Sequence, residues 1–77
     1  MFVKKYVLTL NLSIVDIESG ETIEAQTETE YYSTLAAAEQ AAARYREDGI
    51  AGEYADGTIA EVTSAEVDLE PQEIEPF

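Results

Sequence analysis

Residues 3–32 read VKKYVLTLNLSIVDIESGETIEAQTETEYY. Tyr6, Leu8, Leu10, Leu12 and Ile14 alternate with Val7, Thr9, Asn11 and Ser13. That period of two predicts a long strand over residues 3–18 with its even positions inward. After Ile14 the phase blurs, because Val15 and Ile17 are apolar while Asp16 and Glu18 are not. A bulge or an exposed hairpin end accounts for this. Ser19-Gly20 reads as a two-residue turn, with glycine supplying the positive φ that tight hairpins need. Such a turn pairs Glu18 with Glu21 and sets Ile14 opposite Ala25, Leu12 opposite Thr27, Leu10 opposite Thr29 and Leu8 opposite Tyr31. In this register both strands turn an apolar face to the core, and a slip of one residue loses the match. Glu24, Gln26, Glu28 and Glu30 then share the far, solvated face of the second strand, residues 21–32.

The chain continues with a helix signal. Ser33 is a suitable N-cap, and residues 34–48 are rich in alanine and other strong helix formers. Leu35, Ala38, Ala42 and Tyr45 form one stripe, and Gly49 stands where a left-handed residue ends a helix, with Ile50 placed to fold back on Tyr45. Asp56-Gly57 marks a second hairpin. It joins a short strand, 51–55, to a longer one, 58–69, with Tyr54 facing Ile59 and Ala51 facing Val62. A change of phase places a bulge near Thr63-Ser64. The expected fold is therefore α+β: an antiparallel sheet of about four strands with one helix on one face, in the order ββαββ. Residues 1–69 form the single domain and residues 70–77, acidic and interrupted by Pro71 and Pro76, form an extended tail pinned by Ile74 or Phe77. Tyr6, Tyr31 and Tyr45 fall at core positions, while Tyr32 points to the acidic face.

Seventeen carboxylates stand against four basic side chains in 77 residues, giving a formal net charge of -13 with no histidine. Self-repulsion on that scale favours solubility and opposes compaction. Apolar residues make up 45 % of the chain, which is enough for one small core. The absence of cysteine and histidine removes disulfides, thiolate chemistry and the common transition-metal ligand sets. The usual nucleophile–base arrangements lack their members. Carboxylate pairs could in principle hydrolyse glycosides, but one helix on one sheet leaves little room for a substrate cleft. The expectation is no enzyme. No calcium-loop pattern and no phosphate-binding glycine pattern occurs, so neither cofactor nor metal is expected. Lys4, Lys5, Arg44 and Arg46 do not form a basic stripe, which argues against direct nucleic-acid binding. No run of 18 apolar residues occurs to span a membrane, and the N-terminus is too polar and alternating for a signal peptide. The expected location is the cytoplasm.

The acidic face is the remaining feature. Alternate residues of a strand lie about 6.8 Å apart on one side, so Glu24, Glu28 and Glu30 form a row of negative charge with no cation opposite. A strongly negative surface seeks basic partners, and nucleic-acid-binding proteins present the largest basic surfaces. The candidate partner-binding residues are Glu24, Glu28 and Glu30, then Glu18 and Glu21 at the hairpin tip, with Tyr32, which fits core-edge packing and partner contact equally well, as the aromatic candidate. In size, charge and layout the chain resembles the small, acidic, cysteine-free α+β proteins of phages and mobile elements, among them anti-CRISPR proteins and other DNA mimics. The resemblance covers the whole chain, rests on no shared motif and transfers no residue. It implies a non-catalytic inhibitor that occupies the basic groove of a nucleic-acid-binding protein, in the host cytoplasm if phage-encoded. The alternative is a small structural or regulatory protein-binding module whose acidity serves solubility.

Overall fold

The computed structural model describes residues 3–75. The chain is α+β, with an antiparallel sheet and one helix. The elements are β1 (Val3–Asp16), β2 (Thr22–Tyr32), α1 (Leu35–Asp48), β3 (Ile50–Glu53), β4 (Thr58–Val67) and β5 (Gln72–Ile74). The strands form one five-stranded sheet in the order β2-β1-β4-β3, and β5 pairs with β1. Part of the segment read as a tail is thus a strand: Ile74, Glu73 and Gln72 lie opposite Val3, Lys4 and Lys5. Phe77, the other expected tail anchor, lies outside the described residues.

β1 organises the molecule. Leu8, Leu10, Leu12 and Ile14 are buried on one face, where Ala60 and Ala65 of the neighbouring β4 flank them and Ala42 of α1 joins the same cluster. Leu8 and Leu10 are fully buried, each contributing about 1.5–3 kcal/mol. Ala38 and Ala42 are the buried residues of α1. Their single methyl groups let the helix approach the sheet closely. The N-cap is Thr34, one residue later than expected, because the Thr34 hydroxyl accepts the Ala37 N–H at 3.1 Å. It ends as expected at Gly49, whose φ of 71° and N–H bond to the Tyr45 carbonyl close the last turn. Ile50, expected to fold back on Tyr45, is 40 % exposed.

The bulge near Thr63 is present. Asn11 faces Ser64 and Leu12 faces Val62, leaving Thr63 as the extra residue. Its hydroxyl donates to the Asn11 carbonyl at 2.9 Å. A second irregularity lies between Ile14 and Val15 on the β2 side, and it changes the expected hairpin. The turn is a four-residue loop. Asp16 Oδ1 accepts the N–H groups of Glu18 at 2.9 Å and Ser19 at 3.4 Å, and its carbonyl accepts that of Gly20 at 2.8 Å. Glu18 therefore sits inside the loop, and Asp16 rather than Glu18 bonds across to Glu21. Ile23 is then the residue without a partner, since Val15 faces Thr22 while Ile14 faces Glu24. The longer loop alone preserves which residue types share a face, and the extra residue reverses them. Leu8, Leu10, Leu12 and Ile14 consequently face Glu30, Glu28, Gln26 and Glu24.

This corrects the face assigned to the acidic row, which lies on the helix side of the sheet and not the far side. It also corrects Tyr31, which is 53 % exposed and not a core residue. The second hairpin shifts in the same way. Tyr54 bonds with Thr58, and Glu53 instead of Tyr54 faces Ile59. The Gly57 N–H donates to the Tyr54 carbonyl, and Gly57 has φ 87°. The turn is a three-residue loop ending in a left-handed glycine. Ala51 has no partner, and Gly52 faces Ala60.

The acidic rank on strand β2

Strand β2 lies at one end of the sheet order and, among the described residues, pairs only with β1. Every residue from Thr22 to Thr29 is exposed. The helix covers β1 and β4, so the middle of β2 extends beyond its cover. Glu24, Gln26, Glu28 and Glu30 therefore line the helix side of an open edge, with Ile14, Leu12, Leu10 and Leu8 as their cross-strand neighbours. No cation stands opposite the row. The Gln26 amide donates to Glu24 Oε1 at 2.8 Å and ties two members together.

Glu30 is set apart from the others because it is half-buried where the helix meets the strand. Its Oε1 accepts the Tyr32 hydroxyl at 2.8 Å and its Oε2 accepts the Tyr45 hydroxyl at 3.0 Å. Both carboxylate oxygens thus have a phenolic donor, and both tyrosines pack against the core. Tyr32 is pushed up to about 12 from its ordinary 10.0, first by burial, then by the hydrogen bond and charge of Glu30, while Arg44 opposes the shift. Tyr45 is raised for the same leading reasons, and the Glu28 charge adds to them. Beside this cluster a cavity of about 190 Å³ is lined by Tyr32, Ala41, Arg44, Tyr45 and Asp48.

At the opposite end of the row, Ile14, Glu24, Gln26, Tyr54, Asp56 and Thr58 line a shallow groove of about 280 Å³. Asp56 Oδ1 accepts both the hydroxyl and the N–H of Thr58, at 2.6 and 3.1 Å, which lowers its pKa. The two hairpin tips meet here through an Ile17 N–H bond to the Gly57 carbonyl of 3.1 Å. Glu18 and Glu21 are both exposed at this end, but not as the facing pair expected. The expected site residues are thereby distributed along one edge: Tyr32 and Glu30 near the helix, Glu28 and Glu24 along the strand, and Glu21 and Glu18 at the tip.

Tyr45 is the member that sequence reasoning gave to the core alone. Its hydroxyl position depends on the helix crossing near Glu30, which no spacing in the sequence reports. The far face of the sheet is of a different character. There the Thr27 hydroxyl donates to Asn11 Oδ1 at 3.0 Å, and the Asn11 amide donates to the Ser64 hydroxyl at 2.8 Å, linking β2, β1 and β4.

Among the described residues no three carboxylates are grouped to hold a metal ion, and no helix is long and apolar enough to cross a membrane. The row is an open, negatively charged edge held at one end by two phenols. Compared with family models, curated proteins and solved structures, the chain has no significant match.

Proposed function

We propose that this protein is a non-catalytic inhibitor that binds a basic nucleic-acid-binding protein by charge mimicry of nucleic acid, in the manner of anti-CRISPR or anti-restriction proteins in a host cytoplasm. The observation that carries the reading is the alignment of Glu24, Glu28 and Glu30 on one face of an exposed edge strand whose opposing residues include no cation. A row that served solubility alone would gain from interspersed lysines, which lower self-repulsion without loss of solvation. With a net charge of -13, the surface steers towards cationic grooves and away from phosphates and anionic lipid. Occlusion of such a groove needs no cofactor and no turnover.

The test is capture from bacterial lysate on the immobilised protein at low salt. The expected result is one nucleic-acid-binding complex, released by a salt step and displaced by its own DNA or RNA, since exposed charges are screened. Retention of a partner that neither salt nor nucleic acid displaces would reject the charge-mimic reading.

A further inference from the structure

We infer that the free edge of β2 is a strand-addition site for an extended segment of a partner that carries Lys or Arg at alternate positions. The inference rests on the reading of the acidic rank as a binding surface, and it specifies what binds and how. β2 is an 11-residue strand, and among the described residues its outer edge pairs with no other strand. Alternate residues of such an edge direct both N–H and C=O outward, which is a template for another strand. Natural sheets commonly blunt such an edge with lysine, proline or a covering element. From Glu24 to Glu30 β2 has no lysine or proline, and its one bulge, at Ile23, lies towards the tip.

The side chains select the occupant. A strand added to β2 continues the sheet, so its alternate residues fall beside Glu24, Gln26, Glu28 and Glu30 on the helix side. Opposite charges on directly adjacent strands attract and like charges repel, so those positions favour Lys or Arg. The intervening residues fall beside Ala25, Thr27, Thr29 and Tyr31 on the far face, where small or β-branched side chains fit a flat surface. A second copy paired antiparallel is disfavoured by the same rule. Two β2 strands paired antiparallel edge to edge would bring both carboxylate rows to one face, between chains that each carry -13. The edge thus favours a cationic strand over an antiparallel second copy.

Three capped peptides of nine residues test this on the full-length protein at low salt. One alternates lysine with threonine. One has the same residues with the lysines in a block. One is the alternating sequence N-methylated along its backbone. The expected result is that the alternating peptide binds about tenfold or more tightly than either control, since main-chain pairing gives affinity and side-chain register gives specificity. It should also slow hydrogen exchange of alternate β2 amides between Glu24 and Glu30 by about tenfold or more, as newly paired amides do. Equal binding of all three peptides without new protection overturns strand addition while leaving charge attraction, and with it the proposed function, in place. No binding of the alternating peptide also overturns it. Failure of the proposed function shows separately, as a lysate in which no nucleic-acid-displaceable partner is captured.

Discussion

The Tyr45 hydroxyl reaches 3.0 Å from Glu30 Oε2, fixing the last turn of the helix to the edge strand fifteen residues earlier in the chain. The bond couples scaffold to site, because Glu30 is the one member of the acidic row held by the body of the protein. Hydrogen bonds to charged groups contribute about 1.5–3 kcal/mol when buried. This one is only part-buried, so Tyr45→Phe should destabilise the protein by about 1 kcal/mol. Urea denaturation should show a lower midpoint with an unchanged slope. In a double-mutant cycle with Glu30→Gln the two losses should fall short of additivity. Strict additivity would show that the two side chains are not coupled.

The same contact sets an alkaline limit on stability. The folded pKa of Tyr32 is about 12 and that of Tyr45 is raised, against 10.0 for a free phenol. The unfolded chain therefore releases these protons first. The stabilisation is complete below about pH 10 and declines as pH rises through 10 towards 12. Spectrophotometric titration at ~295 nm should resolve a late-titrating group near 12 that Tyr32→Phe removes. Titration of Tyr32 and Tyr45 near pH 10 would contradict the packing of these hydroxyls on Glu30.

Much of the fold is legible in the sequence because β1 and α1 bury their patterned faces. The period of Leu8 to Ile14, the Leu35–Tyr45 stripe, the Gly49 stop and the extra residue at Thr63 all correspond to the structure. The register of β2 is not legible for a related reason. Its central residues are exposed on both faces, so no burial energy distinguishes one register from the next. The choice passes to details that composition does not report: the Asp16 carboxylate that lengthens the loop and the unpaired Ile23. In return for an imperfect apolar match, Glu30 meets its two phenols and Thr27 meets Asn11. The row itself was recognisable from the alternation of glutamates. The side of the sheet that carries it was not.

Glu24 and Glu28 offer the sharper test of whether the row binds or only solubilises. Reversal of Glu30 would also strip Tyr32 and Tyr45 of their acceptor, so a loss of binding there could come from the scaffold. Glu24 and Glu28 are exposed and make no bond to the core. In a chain of net charge -13, Glu24→Lys with Glu28→Lys should leave stability unchanged or raise it by a few tenths of a kcal/mol, through relief of repulsion. Partner capture should fall by about tenfold or more, because each lost charge pair becomes a like-charge contact. Opposite signs for stability and binding identify residues kept for a function. A variant with improved stability and undiminished capture would return the row to solubility.

Ala42 connects the core to that site by a route the charges do not share. It is fully buried against β1 and β4, while its neighbour Ala43 is exposed. A larger side chain at Ala42 must push α1 away from the sheet, at a cost of about 1–3 kcal/mol. Tyr45 lies one turn further along the helix, so the same displacement lengthens its bond to Glu30. Ala42→Leu should therefore lower the urea midpoint and move the Tyr45 titration back towards 10, with Tyr32 less affected because it belongs to the sheet. Ala43→Leu, with equal hydrophobicity and helix propensity, should change neither by more than about 0.5 kcal/mol. If Ala42→Leu lowers stability without moving any tyrosine titration, the helix position and the Glu30 cluster are independent.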